Sequence, residues 1–347
     1  MITTKSFGNL PNGKKTTLYL IENGNFSASI TDYGATLVSF TGPDKNGNIT
    51  DVVLGFENVT PYTGDVGGMG ATIGRFGNRI EKGEFTLNDK TYKLAINNGP
   101  NHLHGGLEGF SRKIFTAKTV GDNAVCFAYT SPDGEENYPG NLEVKVTYSL
   151  TDDGDLSIDY NAVCDSDTII NLTNHSYFNP SGCGEKNSIN DLYLSVKADA
   201  FCDIDADILA NGDILAVRNT PFDLRNEKLL GCVFSKTDFA PMERGLGIDH
   251  NFVLSNGGEM MLAATLYSEK TGIEILCSTN QPGVQVYTSN FLTEITGKDG
   301  KIYDYRGAVC LETQGYPNAT SFSHFPSPVL KKGEIYSTKT SYKLNIR

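Results

Sequence analysis

The 347-residue chain has no tryptophan and only five histidines. It has no C-x-x-C pair, and no run approaches the ~18 apolar residues of a membrane-spanning helix. The opening "MITTKSFGNLPNGKK" lacks an apolar stretch and a small-residue cleavage site, so no secretory leader is expected. Cys126, Cys164, Cys183, Cys202, Cys232, Cys277 and Cys310 are odd in number and widely spaced. That argues against a disulfide framework or zinc cluster and fits reduced thiols in a cytoplasm. Basic residues are in deficit: 29 Lys and Arg stand against 41 Asp and Glu, for a net charge of −12. With no basic face legible, nucleic acid and anionic membrane are not expected as partners. Neither G-x-x-x-x-G-K-[ST] nor G-x-S-x-G occurs, which leaves a P-loop or a serine-hydrolase elbow without support. The glycines of "GGMGATIGRFGNR" (67–79) do not match G-x-G-x-x-G, and no βαβ pattern surrounds them. They read instead as tight turns and close backbone approach.

What the chain does have is a period of two. Val144, Val146, Tyr148 and Leu150 alternate with polar residues in "EVKVTYSL" (143–150). Residues 156–164 and 192–198 repeat the pattern, and 264–277 reads as two strands around a Glu-Lys-Thr-Gly turn. Turn signals such as "DKNGN", "TDDGD" and "GKDGK" recur throughout, whereas no long segment has a 3.6-residue period. "NTPFDLRNEKLLG" (219–231) could hold one helical turn ended by its glycine. There is no linker-like stretch and no repeat. The expected architecture is one all-β domain over 1–347, built from packed antiparallel sheets.

Polar and aromatic residues concentrate in four segments of otherwise apolar character. These are "GATIGRFGNRI" (70–80) with Arg75, Asn78 and Arg79; "NHLHGG" (101–106); "INLTNHSYFN" (170–179) with Asn174, His175, Tyr177 and Asn179; and "GAVCLETQGYPN" (307–318) with Glu312 and Gln314. "ENYPG" and "GIDHNF" join them, bringing Tyr138 and Asp249. Alternation puts His102 and His104 on one face if they lie on a strand. With His175 they would make a three-histidine zinc site, but the Gly-Gly that follows them and the lack of H-E-x-x-H argue against metal. Glu312 inside "AVCLETQ" faces either solvent or a polar site. Arginine, amide, aromatic and imidazole groups together suit a polyol, whose hydroxyls take paired hydrogen bonds while its C–H face packs on rings.

The ordered set "GATIGRFGNRI", "NHLHGG", "YPG", "NLTNHSYFN", "GIDHNF", "VQVYTSNF" and "CLETQGYPN" resembles the galactose mutarotases, the aldose 1-epimerases, from about residue 30 to residue 320. The resemblance implies a large antiparallel β-sandwich. It also implies interconversion of the α and β anomers of a free monosaccharide by acid–base ring opening, with no cofactor and no metal. By that likeness Glu312 is the base at the C1 hydroxyl, His175 the acid at the ring oxygen, and His104 an assisting group on the ring-oxygen side. Arg79 and Asp249 would hold sugar hydroxyls, with Asn78 and Gln314 as further candidates for substrate binding. His102 is expected to neighbour the site, and Tyr138 to serve packing or the site. A monomer or homodimer is expected. The chain departs from the family where Ser289 replaces a frequent Gly, where Asn251 follows His250, and in having no Trp. These departures bear on sugar preference.

Three other readings remain. A sugar-phosphate epimerase of the same fold would need a basic cluster, for which Arg75 is the candidate. A non-catalytic sugar-binding module would leave Glu312 and His175 without a task. A glycosidase would need Glu312 and Asp249 as a carboxylate pair and would leave the histidines unexplained.

Overall fold

The computed structural model of the protein describes residues 1–236 and 238–347. Three large sheets dominate, and every pairing within them is antiparallel. The largest runs in the order 116–120, 124–131, 142–150, 155–164, 335–346, 273–279, 261–268, 192–196, 228–229. The strand Ile335–Ile346 lies at its centre, paired on one side with Asp155–Cys164 and on the other with Ile273–Thr279. A six-stranded sheet has the order 177–178, 309–314, 283–287, 249–253, 200–204, 210–216. A five-stranded meander covers residues 2 to 51.

The period of two becomes burial. In Leu142–Leu150 the residues Leu142, Val144, Val146, Tyr148 and Leu150 are buried, while Glu143 and Lys145 are exposed. Their apolar face meets that of the six-stranded sheet: Val146, Ile158, Leu266 and Ile275 share one core with Phe252, Val284, Val286, Val309 and Leu311. Each such side chain withdrawn from water stabilises the fold by about 1.5–3 kcal/mol before entropy is counted. The Tyr342 hydroxyl, from the central strand, donates to the Leu311 carbonyl at 2.7 Å and ties the two sheets together. This is the antiparallel β-sandwich expected.

One face of the six-stranded sheet makes that core. Register fixes what lies on the other, because directly paired residues point the same way. Asp249 pairs with Tyr287, Gln285 with Glu312, and both Tyr177 and Tyr287 with Cys310. Alternation alone would turn these groups to water. Instead all of Val309–Gln314 is buried. The cover comes from the chain around 65–69, 78–79, 98–104 and 291–295, which walls a cavity over this polar face.

Two expectations need correction. The stretch 219–231 is not organised as a helical turn ended by its glycine. Turns at Val217–Thr220 and Thr220–Asp223 precede a short strand at Lys228–Leu229. The helix Leu230–Phe234 only then begins, with Gly231 inside it. Burial of Phe222 and Leu224 in the core holds the earlier part in turns. Second, His102 and His104 do not share a face, because the strand His102–Leu103 ends before His104, whose φ is +53°. No helix among the described residues is long and apolar enough to cross a membrane.

Candidate active site

The cavity over the six-stranded sheet measures about 470 Å³. It brings together six of the seven residues to which the resemblance gives a catalytic or substrate-binding role: Asn78, Arg79, His104, His175, Asp249 and Glu312. Gln314 is not among the lining residues. It lies two positions beyond Glu312 on the same strand, fully buried, with both amide atoms unpartnered.

Glu312 and His175 form the centre. His175 Nε2 stands 3.6 Å from Glu312 Oε1, too long for a hydrogen bond but close enough for each to feel the other's charge. The His175 ring stacks on Tyr177 with centroids 5.1 Å apart, and meets Tyr287 and His104 edge-on. Burial pushes His175 down to about 4. Burial also pushes Glu312 well above the usual carboxylate range; neighbouring Asp249 adds to the rise and the Arg79 guanidinium opposes it. Burial thus works against the charged form of each group, favouring a neutral carboxyl beside a neutral imidazole. A proton passed from carboxyl to imidazole would leave a carboxylate beside an imidazolium without changing the proton count.

His104 is placed by backbone geometry. Its Nδ1 accepts the Asn78 N–H at 3.1 Å, so in the neutral ring Nε2 carries the hydrogen. Burial and the nearby His175 and Arg79 hold it well below 6.5, which keeps it a neutral donor. The following glycine is required: a Cβ on Gly105, at φ +81°, would sit 1.9 Å from the Gly74 carbonyl oxygen. Close backbone approach thus explains the first of the two glycines. Arg79 donates from Nε to Asn98 Oδ1 at 2.9 Å, its one side-chain hydrogen bond among the described residues. Asp249 accepts the Gln285 amide at 2.6 Å, and burial raises its carboxyl while Arg79 partly offsets the rise. Glu312 Oε2, His175 Nδ1 and Gln285 Oε1 are buried with no protein partner. Each such group costs about 1–3 kcal/mol when left bare, and hydroxyls, which both donate and accept, match all three.

Other polar members of the motifs serve the scaffold. Arg75 is buried, with its guanidinium bonded to the carbonyls of Ser131, Pro132 and Pro139 and to the hydroxyls of Ser131 and Thr168. It cannot also bind a phosphate in the cavity. His102 donates from Nδ1 to the Ala95 carbonyl at 2.8 Å, which leaves Nε2 to accept the Tyr138 hydroxyl at 2.6 Å. It is turned away from His104 and His175, so the three-histidine site does not form, and Tyr138 is a buried packing residue. Asn174 and Asn179 bridge backbone carbonyls at Gly70 and Gly307. Ser289 has φ +52°, the left-handed conformation glycine tolerates best, and its hydroxyl donates to the Ala308 carbonyl at 2.7 Å.

Sequence reasoning did not single out Gln285, Tyr287 or Asn98, all of which line the cavity. The first two had the same signal as Glu312: polar residues alternating with Val284 and Val286 on an apolar strand. Asn98 lies in a polar loop and gave none. Cys310, which the sequence marks only as one of seven widely spaced reduced thiols, lies beside the Glu312–His175 pair.

The aldose 1-epimerase family model matches residues 17–343. The chain is 41% identical to the galactose mutarotase of Sus scrofa and 39% identical to that of Homo sapiens, with 99% of each chain covered. It is 33% identical to the aldose 1-epimerase of Escherichia coli strain K12, with 94% of each covered. An aldose epimerase homologue from C. elegans superposes with a TM-score of 0.87 at 32% identity, covering 95% of this chain and 98% of that one. A galactose 1-epimerase from Lactobacillus acidophilus NCFM gives a TM-score of 0.85 at 26% identity, covering 100% and 99%. With a match to the family model over nearly all of its length, and with the polar sheet face that the motifs build, the chain belongs to the aldose 1-epimerase family.

Proposed function

We propose that this aldose 1-epimerase interconverts the α and β anomers of free galactose or glucose, with Glu312 as base and His175 as acid. The reading rests chiefly on the 3.6 Å approach of these two buried groups. The anomeric hydroxyl and the ring oxygen are both bonded to C1, so the base serving one and the acid serving the other must stand side by side. Glu312 carboxylate takes the C1 hydroxyl proton while imidazolium His175 delivers one to the ring oxygen. The C1–ring-oxygen bond breaks, giving the open-chain aldehyde. Rotation about C1–C2 and the reverse transfers close the ring on the other face and return both groups to their starting states. The His104 Nε2–H donates towards the ring oxygen and supports its developing charge. Arg79 and Asp249 hold hydroxyls, and Asn78, Asn98 and Gln285 extend that set; Gln314, outside the lining, has no contact role here.

A free sugar suits the cavity better than a phosphorylated one. Among the described lining residues Arg79 is the one cationic side chain, and it stands with Asp65, Asp249 and Glu312. A phosphate dianion would meet carboxylates without a basic clamp. We further propose that residues 1–347 act as one catalytic unit in a reducing cytoplasm, supported by the extent of the family match and by seven free thiols. Polarimetry tests the activity: purified protein should speed the loss of optical rotation of fresh α-D-galactose or α-D-glucose. Sugar binding without faster exchange would leave only the binding-module reading.

A further inference from the structure

The thiol of Cys310 has no part in the proton transfers, yet it is built into the same sheet face. Cys310 pairs in register with Tyr177 on one side and Tyr287 on the other, two positions from Glu312 on the same strand. It is fully buried. Donor atoms of His175, Cys310 and Glu312 all lie within 4.8 Å of one another. We infer that these three side chains form a binding site for zinc or a similar thiophilic divalent cation, and that an ion seated there blocks the sugar.

The chemistry of the set fits. Imidazole, thiolate and carboxylate are the three ligand types zinc takes in proteins, and three protein ligands leave a fourth position for water. Tetrahedral bonds of ~2.0 Å put two nitrogen or oxygen ligands roughly 3.3 Å apart. His175 Nε2 and Glu312 Oε1, at 3.6 Å, are near that spacing already. The sulfur needs a closing movement of about an ångström to reach its own bond length of ~2.3 Å. Charge also balances. A dication with one thiolate and one carboxylate sums to zero beside a neutral imidazole, so the burial that penalises a lone ion is largely offset. The thiol proton, and that of the Glu312 carboxyl, leave to solvent as the bonds to the metal form. His175 and Glu312 line the cavity, which is the ion's route in. Metal and sugar then compete for the same two side chains.

The inference rests on Glu312 and His175 belonging to the sugar site, so its test has a reading independent of turnover. Co²⁺ titrated into the wild-type protein should give the near-ultraviolet thiolate-to-metal band and the intense visible bands of a tetrahedral site. Saturating galactose should abolish both. In the polarimetric assay Zn²⁺ should inhibit competitively with sugar, with full recovery on chelation. Cys310→Ala and the bulkier Cys310→Val, checked for fold by circular dichroism, should keep activity and lose the cobalt band. They should also weaken zinc inhibition by roughly tenfold or more. Inhibition of either folded variant at wild-type zinc concentrations would overturn the proposal. A cobalt band insensitive to galactose would do the same, even if neither variant folds. Failure of turnover with a galactose-sensitive cobalt band intact would count against the catalytic reading and leave the metal site standing.

Discussion

Arg75 and Arg79 stand four residues apart in one motif, and both are nearly buried. The first spends its guanidinium on three carbonyls and two hydroxyls of the scaffold. The second makes one side-chain bond and keeps its remaining donors for the cavity. His102 and His104 divide in the same way: one has both ring nitrogens engaged by its own scaffold, the other is fixed at Nδ1 and offers Nε2. In this molecule burial and residue type do not separate structure from function. What separates them is whether the hydrogen-bonding capacity is used up inside the protein.

The largest effect should come from the site side of that divide. Glu312→Gln removes the proposed base and should lower kcat by ~10²–10⁴-fold. A folded variant retaining more than about a tenth of wild-type kcat would remove Glu312 from that role. The same substitution should stabilise the fold. Burial raises the Glu312 carboxyl, so the folded state keeps the proton past the pH, near 4.5, at which an unfolded Glu loses it. The resulting penalty is absent below that pH and grows above it. Melting curves should therefore coincide in acid and separate in favour of Glu312→Gln as the pH rises towards 7. For a chain of this length each kcal/mol corresponds to roughly 1–2 °C.

The two arginines give the next test. Arg75→Ala leaves several buried carbonyls without donors and should cost about 3–5 kcal/mol of stability in denaturant titrations. Arg79→Ala should cost about 1 kcal/mol or less while lowering kcat/KM by ~10–100-fold through lost sugar contact. Equal stability losses in both would erase the contrast. A smaller effect separates the two histidine environments. Tyr138→Phe deletes the hydroxyl bonded to His102 and should cost about 1–2 kcal/mol with kcat/KM unchanged; a loss of activity at full folding would move that pair into the site. The smallest effect concerns Ser289. Ser289→Ala keeps the left-handed strain and loses the bond to Ala308, whereas Ser289→Gly relieves the strain. The Gly variant should thus be the more stable of the two by about 1 kcal/mol, and the reverse order would show that the left-handed conformation carries no strain at this position.

The sheets were legible because their strands bury one face and leave the period of two in the sequence, as in 142–150 and 155–164. Glu312 was legible for the opposite reason, a charge set in an apolar run. Gln285 and Tyr287 carried the same mark more faintly, since neither residue type is rare on a strand. The division between His102 and His104 was hidden. It depends on one positive φ at His104, which ends the alternation, and on a carbonyl at Ala95 that the motif does not contain. The structural role of Arg75 was hidden likewise, because its acceptors lie 56 to 93 positions further along the chain. Local pattern reports which face is apolar. It does not report which distant backbone atoms arrive to use up a polar group.

The strand Ile335–Ile346 sits in the middle of the nine-stranded sheet, flanked by partners that precede it by 170 residues and more on one side and about 60 on the other. A ribosome releases those partners long before the segment that joins them. Until residues 335–346 emerge, Asp155–Cys164 and Ile273–Thr279 each hold an open edge, and the Leu311 carbonyl waits for the Tyr342 hydroxyl. Exposed edges of this kind invite pairing with other chains. The nine-stranded sheet therefore closes only once residues 335–346 are made, and until then its two halves stand as separate open edges.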